Sequence, residues 1–190
     1  MENKDDYKKF LRAMVPLRAN EGGLVDDPDD PGQITKCGIS LRTLSRLNAV
    51  DNNHDGLSDY DFNGDGAIDA DDIRGMDDAS IRLFYYHEFW HKYDYGALPN
   101  NVAIKTFDFA VNMGPHQAAL ILQRALLANG HRLMDDGLLG NITRALVNST
   151  LQEQLIPAMR SEAAGFYRLL VAVNPTSKKY LKGWLRRAYL

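Results

Sequence analysis

The 190-residue chain is 45% hydrophobic and 25% charged, enough apolar material for one domain, or for a domain with a closely packed subdomain. Its single cysteine, Cys37, excludes an internal disulfide framework, and its five histidines show no ligand spacing, so no zinc site is expected. The net charge of −3 is uneven: residues 51–72 hold eight Asp and no Lys or Arg, leaving 17 acidic against 22 basic residues elsewhere, a balance that suits an anionic polymer partner and a cation site rather than nucleic acid.

The opening residues, Met1 to Phe10, lack an apolar segment and a small-residue cleavage site, so no secretory signal is expected. No apolar run approaches the ~20 residues that span a bilayer, so stable membrane insertion is not expected. Phe10, Leu11, Met14, Val15 and Leu17 recur at helical intervals, which predicts a helix over Tyr7–Arg18, broken by Gly22-Gly23. Residues 25–38, rich in Asp, Pro and Gly, predict an irregular loop or a short β-hairpin. Ser40 opens a brief helix with Leu41, Leu44 and Leu47 on one face. Helices resume at 78–90, 102–113, 117–129, 142–148, 151–173 and 177–188. The class is therefore all-α, or α-dominated with at most a small β-hairpin. Cys37 reads as a buried structural residue, and Trp90 as core.

The acidic segment has the pattern of a calcium loop. Asp61, Asn63 and Asp65 place oxygen ligands at positions 1, 3 and 5, Gly66 allows the sharp turn at position 6, and Ala67 offers its carbonyl. Ile68 is the apolar anchor, and Asp72 closes the loop at position 12, which resembles the dockerin-type loop rather than a signalling one. A structural Ca²⁺ is expected there. Upstream, Asp51, Asn53, Asp55, Leu57 and Asp59 repeat the opening, but Phe62 at position 12 cannot ligate, so a second ion would need Asp59 or Asp61 to complete its shell. A solvated acidic loop is the bland alternative, opposed by the mutual repulsion of eight carboxylates.

Glu21 stands at the end of the first predicted helix, beside Gly22-Gly23, and Asp30 follows nine residues later. Glycoside hydrolysis needs one carboxylic acid to protonate the leaving oxygen and usually a second carboxylate to activate water or attack directly. The same residues also suit a helix cap and a solvated loop. The succession Glu21-Gly22-Gly23-Leu24-Val25, Asp27-Pro28-Asp29-Asp30-Pro31-Gly32 and Thr35-Lys36-Cys37-Gly38-Ile39-Ser40 resembles the start of glycoside hydrolase family 108, lysozyme-like N-acetylmuramidases common in phages and prophages. The likeness continues through Tyr86-His87-Glu88-Phe89-Trp90 and 107–114. Beyond these, Asp136-Gly137-Leu138-Leu139-Gly140 and 174–185 look like the peptidoglycan-binding region often found behind that motif.

The resemblance implies that Glu21 is the catalytic acid and that Asp30 and Thr35 place the attacking water, as in phage-type lysozymes. Gln33 and Cys37 depart from the family pattern, where a second Gly and an aromatic are common. It further implies a two-lobed lysozyme-like fold, with a catalytic lobe at 1–98 carrying the calcium insert 51–72. A helical lobe at 99–190 would form the other wall of a sugar-binding cleft. Asp108 and Asn112, one turn apart, either line its floor or brace the helix. The expected reaction is hydrolysis of the β-1,4 bond between N-acetylmuramic acid and N-acetylglucosamine in bacterial peptidoglycan. A monomeric, bacteriolytic endolysin is expected, made in the host cytoplasm and acting after holin-type release, with the basic C-terminal helix touching an anionic envelope. A lytic transglycosylase, or a non-catalytic calcium-stabilised wall-binding module, are the alternatives.

Overall fold

The computed structural model describes residues 4–20, 23–26, 34–51, 54 and 56–190. It is α-dominated, with one small antiparallel sheet. The chain forms two compact units, Met14–Glu88 and the combination of Met1–Ala13 with Phe89–Leu190. The first helix, α1 (Lys4–Asn20), gives residues to both.

In Met14–Glu88 the sheet has the order β1 (Leu24–Val25), β2 (Thr35–Lys36), β3 (Ile39–Ser40). Leu24 pairs with Lys36 and Val25 with Thr35, while Thr35 pairs with Ser40 and Lys36 with Ile39. The β2–β3 turn is Cys37-Gly38, with φ of 50° and 79°. Both residues are left-handed, as a two-residue hairpin turn with the right twist requires. The Tyr85 hydroxyl donates to the Cys37 carbonyl at 2.8 Å, holding the less willing residue of the pair in place. Ser40 then caps α2 (Leu41–Arg46), its hydroxyl accepting from the Thr43 N–H at 3.2 Å.

After the acidic segment come α3 (Ala70–Gly75) and α4 (Asp78–Tyr85). Each starts on an aspartate cap. Asp69 and Asp72 form a capping box on α3, and Asp77 accepts from the Ser80 N–H at 2.8 Å on α4. The Ser80 N–H and hydroxyl hold the Asp77 carboxyl below the usual carboxylate range. Leu17, Ile39, Leu44, Ile73, Ile81, Phe84 and Tyr60 fill this unit's core.

A π-helical turn, Tyr86–His91, follows α4 directly. The other unit is a stack of helices: α5 (Asn100–Met113) packs on α6 (Pro115–Ala128), α6 on α8 (Gln152–Val173), and α8 on α9 (Leu181–Tyr189), with α7 (Asn141–Ser149) against α6. Gly114 at φ 89°, followed by Pro115 at the first turn of α6, makes the break between α5 and α6. Trp90 is fully buried, edge-on to Phe10 and Phe107 at 5.8 and 5.6 Å, and its indole N–H donates to Asp6 at 2.9 Å. Lys9 donates to the carbonyls of Gly96 and Leu98, both at 2.7 Å, closing a short 3₁₀ turn (Tyr95–Ala97).

Candidate active site

Glu21 and Asp30, the expected acid and water-positioning carboxylate, lie outside the described residues. What brackets them is described. The last residue of α1 is Asn20 and the first of β1 is Leu24. The segment holding Asp30 runs from Asp26, after β1, to the buried Ile34, before β2.

Thr35 is placed on the central strand. Its cross-strand partners are Val25 and Ser40. Successive strand side chains alternate between faces, so Thr35 stands with Val25 and Ser40 on one face and Lys36 with Leu24 and the fully buried Ile39 on the other. Lys36 uses that second face: its ammonium donates to the carbonyls of Arg74 at 2.8 Å and Met76 at 2.6 Å, at the end of α3. Those carbonyls lack helical partners and carry the negative end of the helix. Arg74 in turn pairs with Asp26 at 3.0 Å and Asp71 at 2.8 Å, both exposed pairs.

The acidic loop is organised by its own side chains and backbone N–H groups. Gly64 and Gly66 take φ of 74° and 89°, and the loop closes on Asp72, which is fully buried. The Asp72 carboxylate accepts from the Phe62 N–H at 2.8 Å, the Asn63 N–H at 3.4 Å and the Asp69 N–H at 2.8 Å. Asp61 accepts from the N–H groups of Gly64, Asp65 and Gly66, and Asp65 from Ala67. Asn63 accepts from the Asp65 N–H and donates its amide to the Asp65 carboxylate. Among the described residues, no three His, Cys, Asp or Glu side chains gather as a metal-holding group. Upstream, Asp51 accepts from the Gly56 N–H at 3.1 Å, and the Asp59 N–H donates to Val50. Leu57 is exposed, while Asn53 and Asp55 lie outside the described residues.

At the start of the loop, Tyr60 is buried against Phe84, with ring centroids 5.7 Å apart, and its hydroxyl donates to Glu88 at 2.8 Å. Burial, then the Glu88 carboxylate, pushes that hydroxyl well above the ordinary tyrosine range. Tyr60 stays neutral and acts as a fixed donor.

In the helical unit, Asp108 faces inward and pairs with Arg187 of α9 at 3.0 Å, and both side chains are buried. Lys105 joins them, donating to the Arg187 carbonyl at 2.8 Å. Burial raises the Asp108 pKa despite the two cations, and lowers that of Lys105 to about 8. Asn112 is exposed and accepts from the Tyr167 hydroxyl at 2.6 Å. Asp108 therefore braces α5 against α9, and only Asn112 of that pair reaches the surface. Gln123, fully enclosed, binds the loop 136–138: its amide donates to Asp136, the Leu138 carbonyl and Thr143, and its oxygen accepts from the Gly137 N–H.

Residues 15–114 match the glycosyl hydrolase 108 family. The chain belongs to that family. It is a glycoside hydrolase acting on peptidoglycan, and residues 117–189 of the hydrolase match the "Predicted Peptidoglycan domain" family. The solved structure of SagA from Brucella abortus is similar at a TM-score of 0.69 and 26% identity, covering 96% of this hydrolase and 91% of that chain. No curated protein matches. No described helix of the hydrolase is long and apolar enough to cross a membrane. The features that sequence reading missed are α3, the Lys36 bridge and the Tyr60–Glu88 bond. The Asp69/Asp72 spacing carried the signal of a capping box, whereas the two bridges join residues 28 to 40 apart and leave no local trace.

Proposed function

We propose that this hydrolase is an N-acetylmuramidase that cleaves the β-1,4 bond between N-acetylmuramic acid and N-acetylglucosamine. Glu21 is the general acid, and Asp30 with Thr35 places the attacking water. The observation that carries the reading is the family match over 15–114, which spans all three residues. Thr35 supports it by standing on the central strand, on the face opposite the buried Ile39. A carboxylic acid at Glu21 protonates the glycosidic oxygen as the C–O bond breaks, and water oriented by Asp30 and Thr35 completes the hydrolysis. Glu21→Gln keeps shape and removes the proton donor, so release of muropeptides from purified sacculi falls by ~10²–10⁴ or more. Mass analysis of the products shows a free reducing sugar for hydrolysis; an anhydro sugar makes the enzyme a transglycosylase. Near-normal release by folded Glu21→Gln ends the assignment of the acid.

The insert is proposed to hold one structural Ca²⁺ through Asp61, Asn63, Asp65, Asp72 and the Ala67 carbonyl. The oxygen donor set and the left-handed Gly66 support this. Bound calcium would bring carboxylates together by neutralising their repulsion and would take no part in bond cleavage. An ion at a hundredfold excess over Kd stabilises by about 2.7 kcal/mol. Chelation therefore lowers the melting temperature, and Asp65→Ala removes that sensitivity. A melting curve unmoved by verified calcium removal refutes the site. Action as a phage endolysin, released through a holin, is proposed on the family resemblance, and is tested by lysis of cells expressing the chain with and without a holin.

A further inference from the structure

The sheet that carries Thr35 is held from its other face by a helix that the acidic insert organises. Adjacent strand residues point to opposite faces, so whatever fixes the Lys36 side chain also fixes the orientation in which Thr35 is presented. Lys36 reaches the last carbonyls of α3, and the Arg74 guanidinium on the same helix spans Asp26, just past β1, and Asp71. Two strands are thus tied to one six-residue helix. An isolated helix that short does not hold its own shape. Its N-terminus is set by Asp69 and by the buried Asp72, whose carboxylate also holds the Phe62 N–H of the loop. We propose that α3 is a buttress for the catalytic sheet and that Lys36 is a positioning residue for Thr35, linking the fold of the insert to the rate of bond cleavage.

This inference rests on the assignment of Thr35 to the reaction. The exposed Arg74–Asp26 pair is a minor part of the buttress, because ion pairs in water are weak. Lys36 carries it, since one ammonium reaches two carbonyls at the end of α3 that have no partner within the helix. A misplacement of the order of 1 Å in a catalytic group lowers turnover by up to ~10²-fold. The loss belongs to kcat, because the displaced group is the one assigned to orienting water and not to holding the glycan.

The experiment compares Lys36→Met, Lys36→Gln, Lys36→Arg and Asp69→Ala in the full chain. Muropeptide release gives kcat and KM, and hydrogen exchange gives the protection of amides 34–40. Lys36→Met is expected to lower kcat about tenfold with KM within twofold, and to speed exchange over 34–40 while α5 and α6 keep theirs. Lys36→Arg, which retains the charge and two donors, restores most of both. Asp69→Ala, acting from the insert side, speeds exchange at 34–40, and combined with Lys36→Met adds nothing further. Lys36→Gln serves in place of Lys36→Met if the latter does not fold. Unchanged exchange at 34–40 in a folded Lys36 variant, additive effects of the two sites, or a fall in KM-dependent binding alone overturns the proposal. If wild-type protein releases no muropeptides, the hydrolase reading falls on its own, and the exchange measurements still judge the buttress.

Discussion

Removing the Arg187 side chain tests the helical unit at the place where it stores most electrostatic risk. Arg187 and Asp108 are 8% and 6% exposed at the side chain and sit 3.0 Å apart. Breaking a buried pair from one side typically costs about 3–5 kcal/mol, because the remaining charge is left without compensation. In a chain of this size 1 kcal/mol moves the melting temperature by about 2–4 °C, so Arg187→Leu lowers it by about 6–20 °C. Burial already raises the Asp108 pKa against the pull of both cations. With Arg187 gone that pKa climbs further, and Asp108 takes up a proton in the folded state that it lacks when unfolded. The loss is therefore largest near pH 7 and shrinks as pH falls toward 4. The double variant Asp108→Leu/Arg187→Leu removes both charges and recovers much of the loss. Thermal melts of Arg187→Leu, Asp108→Leu and the double variant between pH 4 and 7.5 give the answer. A single variant that melts within 2 °C of wild type, or a double variant worse than the sum of the singles, refutes this account of α9 docking.

Lys105 makes an opposite pH signature. Its pKa falls from 10.5 in the unfolded chain to about 8 in the fold, so its burial penalty is complete below pH 8 and is relieved as pH rises from 8 to 10.5. The difference in stability between wild type and Lys105→Met should therefore shift in favour of wild type across that window; a flat difference refutes a strained ammonium at this position. At the surface, Lys178, Lys179 and Lys182 are exposed, and their replacement by Gln weakens binding to sacculi at low salt and matters less at high salt, as screening over ~8 Å at physiological ionic strength requires. An unchanged salt profile leaves these lysines as solvated surface.

The sequence was most legible where burial and periodicity coincide. The expected helix at 151–173 is α8, and those at 102–113 and 117–129 are α5 and α6 displaced by one or two residues at their ends. It was least legible where one helix gives way to another kind of turn. The helix expected across 78–90 passes into the π turn at Tyr86. The helix expected over 177–188 begins as a 3₁₀ turn, Pro175–Tyr180, before α9. α3 was hidden because five of its six residues are polar, small or charged, and of its two buried residues, Asp72 and Ile73, only Ile73 is apolar. At the site, the Asp-, Pro- and Gly-rich composition of 25–38 left a loop or a short hairpin open, and the structure places Thr35 on the central strand of a small sheet. The partners of Asp108 could not be read from spacing, since Arg187 lies 79 residues away.

The two tryptophans occupy unlike surroundings, and that difference supplies a built-in optical probe. Trp90 is sealed in the core with its N–H committed to Asp6. Trp184 lies between the buried Tyr167, stacked at 5.3 Å, and the exposed Tyr180 at 5.6 Å. Indole emission shifts with the polarity around the ring, so Trp90 gives a constant background while Trp184 reports on whatever approaches Tyr180 and its neighbouring Lys179. Titrating wall fragments into Trp90→Phe protein, with Trp184 as the sole emitter, would record engagement of the C-terminal region without any label and independently of bond cleavage.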